Sequence, residues 1–257
     1  MSTAVNTVLL NDVVFCPVSF QDLSFEILNP KDDEDVRGAA ECLAESFAGV
    51  VVDGVHISEP MTNACKLSAD DMFDYVYGYL SEVAKQNLCY IAKDLLTGKV
   101  VGAIACENFN PEEEIPVLEG NIAPMNIVLN YLAELDARLV HTIEHKTGNN
   151  VRGDEYVHGF MSAARLKDKK RFVVIKLVEC LIIDAYTKGY KGIIVEATNP
   201  KSVKMSSEYC GFHQVYDIHG EPILGNYSEH PVFKSIPREI ATECRILYRP
   251  LNFDLDI

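Results

Sequence analysis

A mixed α/β fold is what this 257-residue sequence predicts, and three observations carry the prediction. Residues 155–166 form an apolar strand pattern, 173–190 a strongly apolar helix stopped by Gly189, and 191–198 a second apolar strand, which together make a strand–helix–strand unit. Residues 88–109 read as a β-hairpin, two apolar runs around Leu96-Thr97-Gly98-Lys99. Two amphipathic helical patterns with acidic starts precede that hairpin.

The remaining elements follow in order. LSFEIL (23–28) alternates as a strand does, and after Pro30 the segment 31–48 places acids first and apolar residues at helical spacing. Residues 49–63, with two glycines and a proline, read as a loop whose length implies a task. Ser68-x-x-Asp71 caps the next helix. After the hairpin comes an irregular acidic stretch, NPEEEIPVLEGN, then a long helical pattern over 123–146 that stops at TGNN. Residues 199–211 read as a short helix ended by Gly211, and 212–218 and 244–251 as late strands. With no repeat and no low-complexity linker, the expected organisation is one domain over 1–257. It has an N-terminal extension (1–22) and a helical insert (111–153).

Composition narrows the function classes. Acidic residues outnumber basic ones 38 to 23, a formal charge of −15, which argues against nucleic acid as the partner. It is compatible with a small cationic substrate. The eight cysteines are scattered without a CxxC pair, which fits neither a zinc site nor a disulfide framework. The N-terminus lacks a signal-peptide pattern and no apolar run would span a bilayer, so the sequence is read as cytoplasmic with no membrane partner. HTIEH (141–145) matches a metalloprotease pattern in which His141 and His145 share a helix face, but it stands at the end of the insert. No metal is expected there.

One short segment resists this bland reading. Lys167, Lys169, Lys170 and Arg171 put four cations in five residues between a strand and a helix, without a glycine. A helix N-terminus attracts anions, so the segment is a candidate anion site. The alternative is a solvated connection.

The series strand, loop, helix ending in glycine, apolar strand, Thr-Asn-x-x-Ser, short helix and Gly211-Phe212 resembles the cofactor-binding core of the GNAT superfamily of acyl-CoA-dependent N-acetyltransferases. "TKGYKGIIVEATNPKSVKMSSEYCGFHQV" carries it in order. "SEPMTN" (58–63) resembles the Glu-Pro-Leu segment of the arylalkylamine and dopamine N-acetyltransferase branch, and "YIAKDLLTGKVVGAIACENF" that branch's hairpin. The resemblance spans roughly residues 23–250 (a single-domain match).

It implies acetyl transfer from acetyl-CoA to a small primary amine, by a monomer or weak homodimer. Glu59 falls on the branch's general base, and Thr198 and Ser202 on its supporting hydroxyls, with Asn199 beside them. A backbone N–H near Ala163 or Ala164 would polarise the thioester. The family's pyrophosphate loop reads Arg/Gln-x-x-Gly-x-Gly/Ala. Those positions hold Lys169, Phe172 and Val174 here, with Lys170, Arg171 and Val173 between them. Either side-chain cations replace the glycines, or the chain is a catalytically silent acyl-CoA-binding or interaction protein of this fold. The tyrosine often used as general acid is also absent, with Ser206 or Ser207 in its place. Outside the resemblance, Glu59 reads as a turn residue and Thr198, Asn199 and Ser202 as helix caps.

Overall fold

The computed structural model describes residues 20–52, 55–165 and 170–251. Lys167 and Lys169, and most of the expected N-terminal extension, lie outside them. The chain order is β1 (Leu23–Ile27), α1 (Asp33–Ala48), β2 (Val50–Val52), β3 (Val55–Ile57), α2 (Pro60–Ala64), α3 (Ala69–Val83), β4 (Tyr90–Asp94) and β5 (Val100–Asn108). Then come α4 (Met125–Thr147), β6 (Tyr156–Ala164), α5 (Lys170–Lys188), β7 (Gly192–Ala197), α6 (Pro200–Cys210), β8 (His213–Gln214), β9 (Leu224–Asn226) and β10 (Glu243–Pro250).

Local chemistry sets the helix ends. Asp32 caps α1 by accepting the Asp35 N–H, and the acids Asp33, Glu34 and Asp35 face the positive end of the helix dipole. Ser68 and Asp71 form a reciprocal capping box on α3. Asn199 accepts from the N–H groups of Lys201 and Ser202, each at 3.0 Å, with Pro200 at the first helical position of α6. Gly211 ends α6 at φ +67°, a conformation other residues adopt at a cost.

The strands pair in the order β1-β4-β5-β6-β7-β10-β8, with β9 against β10. β6 and β7 run parallel, and the other pairs are antiparallel. One face of the sheet buries a core with α1, α3 and α4 that includes Leu43, Met72, Leu80, Leu139, Tyr156 and Phe233. The other face packs α5 and α6 over Ile104, Val157, Val173, Leu177, Ile193 and Phe212. Apolar burial on both faces makes the central strands continuous apolar runs.

Two expectations need correction. The segment 49–63 is not a plain loop: Val50–Val52 and Val55–Ile57 pair as a small ribbon, and Pro60–Ala64 is a short helix. A pairing of three residues per strand is too brief to show a period of two in sequence. Residues 212–218 also hold less strand than expected, because pairing with β10 is limited to His213 and Gln214.

Candidate active site

The β6–β7 ladder is short, and the site follows from that. Its pairs are Tyr156↔Gly192, Val157↔Ile193 and His158↔Ile194; beyond them the two strands separate. On the other edge of β6, Ala105 faces Met161 and Cys106 faces Gly159, so Phe160 is an extra residue, a bulge. From the bulge to Ala164, β6 keeps a partner on the β5 side alone, and its remaining backbone groups border a cleft of about 1540 Å³. Ala163 and Ala164, both buried, line it, as do Glu59, Glu196, Thr198, Asn199, Ser202 and Ser206.

Glu59 sits where the β3 ribbon turns into α2. Its Oε2 accepts the Thr62 N–H at 2.6 Å and caps the helix, and its own N–H donates to the Phe47 carbonyl at 3.0 Å. The other carboxylate oxygen, Oε1, is buried without a hydrogen-bond partner among the described residues. Burial and then the Glu59 charge push the nearby Cys65 thiol up to about 11. Burial, with a smaller contribution from Glu59, raises the Tyr227 phenol as well. That phenol donates to the Thr198 carbonyl at 2.7 Å, fixing the end of β7 opposite Glu59. Tyr227 is a contributor that the sequence did not mark, since it lies in a short turn with no pattern around it.

The candidate hydroxyls and the cap are brought together at the start of α6. The Asn199 side-chain oxygen is committed to capping, which leaves Thr198 and Ser202 as hydroxyls on the cleft wall.

The basic segment is arranged differently from expectation. Helix α5 begins at Lys170, three residues earlier than the apolar pattern indicates, so Lys170, Arg171, Phe172 and Val173 stand in its first turn. Val173 and Val174 are buried core residues and Phe172 packs beside them. The close helix–sheet approach is supplied from the strand side. A Cβ on Gly102 of β5 would lie 2.5 Å from Val173 Cγ1, so the small residue sits on the sheet rather than in the loop. Unlike α1 and α3, α5 has no acid in its first turn. Two cations there oppose the helix dipole unless an anion joins them. The residues present therefore fit an anionic group such as a diphosphate.

Among the described residues, no group of three His, Cys, Asp or Glu side chains is placed to hold a metal ion. His141 and His145 have ring centroids 6.4 Å apart on α4, away from the cleft lining. No described helix is long and apolar enough to cross a membrane.

No family model matches the sequence, and no curated protein matches it. Solved structures do. Arylalkylamine N-acetyltransferase 2 from Aedes aegypti superposes with TM-score 0.67 at 17% identity, over 90% of this chain and all of that one. An agmatine N-acetyltransferase in its apo form matches with TM-score 0.62 at 13% identity, over 89% of this chain and 99% of that one. The C-terminal condensation domain of Ebony, in complex with β-alanyl-dopamine, matches with TM-score 0.62 at 13% identity, over 89% of this chain and 98% of that one. The class is thereby defined: this chain has the GNAT acyltransferase fold. At 17% identity or less, the likeness to these three proteins is one of fold.

Proposed function

We propose that the chain transfers an acetyl group from acetyl-CoA to a small primary amine of the arylalkylamine or polyamine type, with Glu59 as general base. The observation that carries this reading is the buried, unpartnered Oε1 of Glu59 in the cleft, held in place because Oε2 is tied to Thr62. A primary amine is protonated at neutral pH, with a pKa of about 10, and needs an acceptor for that proton before it can attack. An oriented carboxylate without another partner meets that need. The amine nitrogen then bonds to the thioester carbon, the carbon–sulfur bond breaks, and the departing thiolate takes a proton. We assign Thr198 or Ser202 to relay that proton or to hold the amine. The open edge of β6 near Ala163 or Ala164 would offer a backbone N–H to the thioester oxygen. Asn199 supports this wall through its cap.

Acetyl-CoA supplies the activated acyl group. For its diphosphate we assign Lys169, Lys170 and Arg171 as charge, with the first-turn N–H groups of α5 at Phe172, Val173 and Val174. The small amine and acyl-CoA are the proposed partners, without nucleic acid or membrane. Cys65, Cys89, Cys106, Cys180, Cys210 and Cys244 form no disulfide, which supports a reducing, cytoplasmic setting.

The replacement of both small loop positions by Phe172 and Val174 favours a second reading, an acyl-CoA-binding protein without turnover. One experiment separates the two: release of free CoA thiol from acetyl-CoA, measured across tyramine, phenethylamine, putrescine and agmatine, with Glu59→Gln in parallel. Turnover abolished by Glu59→Gln supports the transferase. Binding of acetyl-CoA with no amine-dependent thiol release supports the silent protein.

A further inference from the structure

Beneath the bulge at Phe160 lies a chain of four ionisable side chains that acetyl transfer as derived above does not use. His158 is the last β6 residue paired to β7, and Glu196 lies two residues past the last β7 pair, on the same face. His158 Nε2 and Glu196 Oε2 are 2.8 Å apart, and His158 Nδ1 and Glu107 Oε1 of β5 are 3.1 Å apart. The Glu196 side chain is only 2% exposed and that of His158 12%. Asp136, from α4, is a buried neighbour of Glu196. Glu196 Oε1 and Asp136 Oδ1 are both buried without a hydrogen-bond partner of their own among the described residues. Two ionised carboxylates cannot share a dry site, so one of the pair carries a hydrogen. Phe109 and Phe160 flank the imidazole, with centroids at 6.2 and 5.6 Å, and shield it from water.

We propose that Glu107, His158, Glu196 and Asp136 are a proton-sharing positioning network that holds β6 and β7 apart at the vertex of the cleft, with Asp136 a neutral acid donating to Glu196. Side-chain bonds here take over where the backbone ladder stops, and they tie three strands to α4. Because Glu196 lines the cleft floor, the network also fixes a negative charge on the side where a cationic amine would enter.

The protonation states are consistent with that arrangement. Burial, then the Glu196 charge, raises the Asp136 carboxyl well above its ordinary range. Burial alone would lower the His158 pKa, but the charge of Glu196 and the bonds to Glu107 and Glu196 leave it well above the ordinary value. The other groups facing the network are Tyr75 and Tyr79 of α3, Cys89 just before β4, Cys106 of β5 and Cys244 of β10. Burial raises the pKa of each, so they stay neutral.

The kinetic consequence rests on the acetyl-transfer reading; the structural one does not, and the test separates them. Asp136→Asn keeps shape and a donor toward Glu196 but cannot ionise. The folded wild type holds a proton that the unfolded chain releases above about pH 4, so wild-type stability falls as pH rises through that window. Asp136→Asn lacks this loss. The expected result is a melting temperature that gains on wild type steadily between pH 5 and pH 8. A gap that stays flat or reverses would overturn the proposal. A second readout is the ring ¹⁵N signal of His158, assigned with His158→Gln. An imidazolium at pH 8 is expected, and a neutral ring at pH 7 would overturn the proposal. In turnover, Asp136→Leu should lower kcat by about tenfold and Asp136→Asn should restore most of it. Equal losses in both would overturn the positioning role. If no amine is turned over by wild type, the transferase reading fails while melting and ¹⁵N signals still decide the network.

Discussion

Val173 of α5 rests against Gly102 of β5 so closely that a methyl group on Gly102 would fall 2.5 Å from Val173 Cγ1 and 3.3 Å from Leu177 Cδ1. Helix α5 depends on this seat, because Val173 and Leu177 are both fully buried. The seat also fixes the depth at which the first turn of α5 meets the cleft.

Gly102→Ala therefore overpacks the helix–sheet contact and should cost about 1–3 kcal/mol in denaturant unfolding. Val173→Ala in the same chain removes the atom that is struck. The double variant should be more stable than the sum of the single losses, with a coupling of about 0.5 kcal/mol or more. Strict additivity would mean that α5 shifts freely and that Gly102 is not the seat.

Glu59 combines a cap with a free oxygen, and two substitutions separate these roles. Glu59→Gln retains a carbonyl for the Thr62 N–H but loses the basic oxygen. It should lower kcat by about 10²-fold or more with little change in melting temperature. Glu59→Ala also loses the cap, at about 0.5–2 kcal/mol. Steady-state kinetics with thermal melting on both variants checks this. Near-normal turnover by Glu59→Gln would remove Glu59 from the chemistry.

Much of this architecture was legible in the sequence. The acidic first turn at Asp33–Asp35, the Ser68/Asp71 box and the Asn199-Pro200 start are local signals that burial did not override. The ribbon at Val50–Val52 was not legible because short edge pairing leaves no period. The start of α5 was misplaced because Lys170, Arg171 and Phe172 break the apolar run that marks the rest of the helix. At the site, Glu59, Thr198 and Ser202 came from motif order and do line one cleft. The Glu107–His158–Glu196–Asp136 chain is drawn from residues 107 to 196, and only strand register and the packing of α4 on the sheet bring it together. Histidine and acids at such separations carry no local spacing rule.

Acid should weaken the lower edge of the same strand–helix–strand unit. Glu155, 10% exposed in its side chain, accepts from Lys191 Nζ at 2.6 Å and from Arg152 Nη2 at 3.1 Å. Burial alone would raise its pKa, but the bonds from Lys191 and Arg152 overcome burial and depress it. The depressed value stabilises the fold above the ordinary glutamate range, and the contribution is lost as pH falls through the folded-state pKa. Lys191→Met should cost about 1 kcal/mol at pH 7, less than a fully buried charged hydrogen bond because Lys191 is 35% exposed. The cost should shrink below about pH 4. Urea unfolding at pH 7 and pH 3.5 measures it, and an equal cost at both values would exclude the charge interaction.

The cations at the start of α5 give the sharpest separation between a working and a vestigial cofactor site. Lys170 and Arg171 stand in the first turn of α5, at the positive end of the helix dipole, where their charges are unfavourable unless an anion joins them. If the diphosphate of CoA is that anion, each side chain contributes a charge-assisted contact of about 1.5–3 kcal/mol, or roughly ten- to a hundredfold in Kd. Calorimetric titration with acetyl-CoA should then give micromolar binding that weakens in both Lys170→Ala and Arg171→Ala. Dephospho-CoA, which retains the diphosphate, should lose affinity in the same proportion. Binding that is unchanged in both variants would show that the diphosphate is held elsewhere. In the apo protein, the same substitutions should raise thermal stability, because each removes a positive charge from the positive end of the helix.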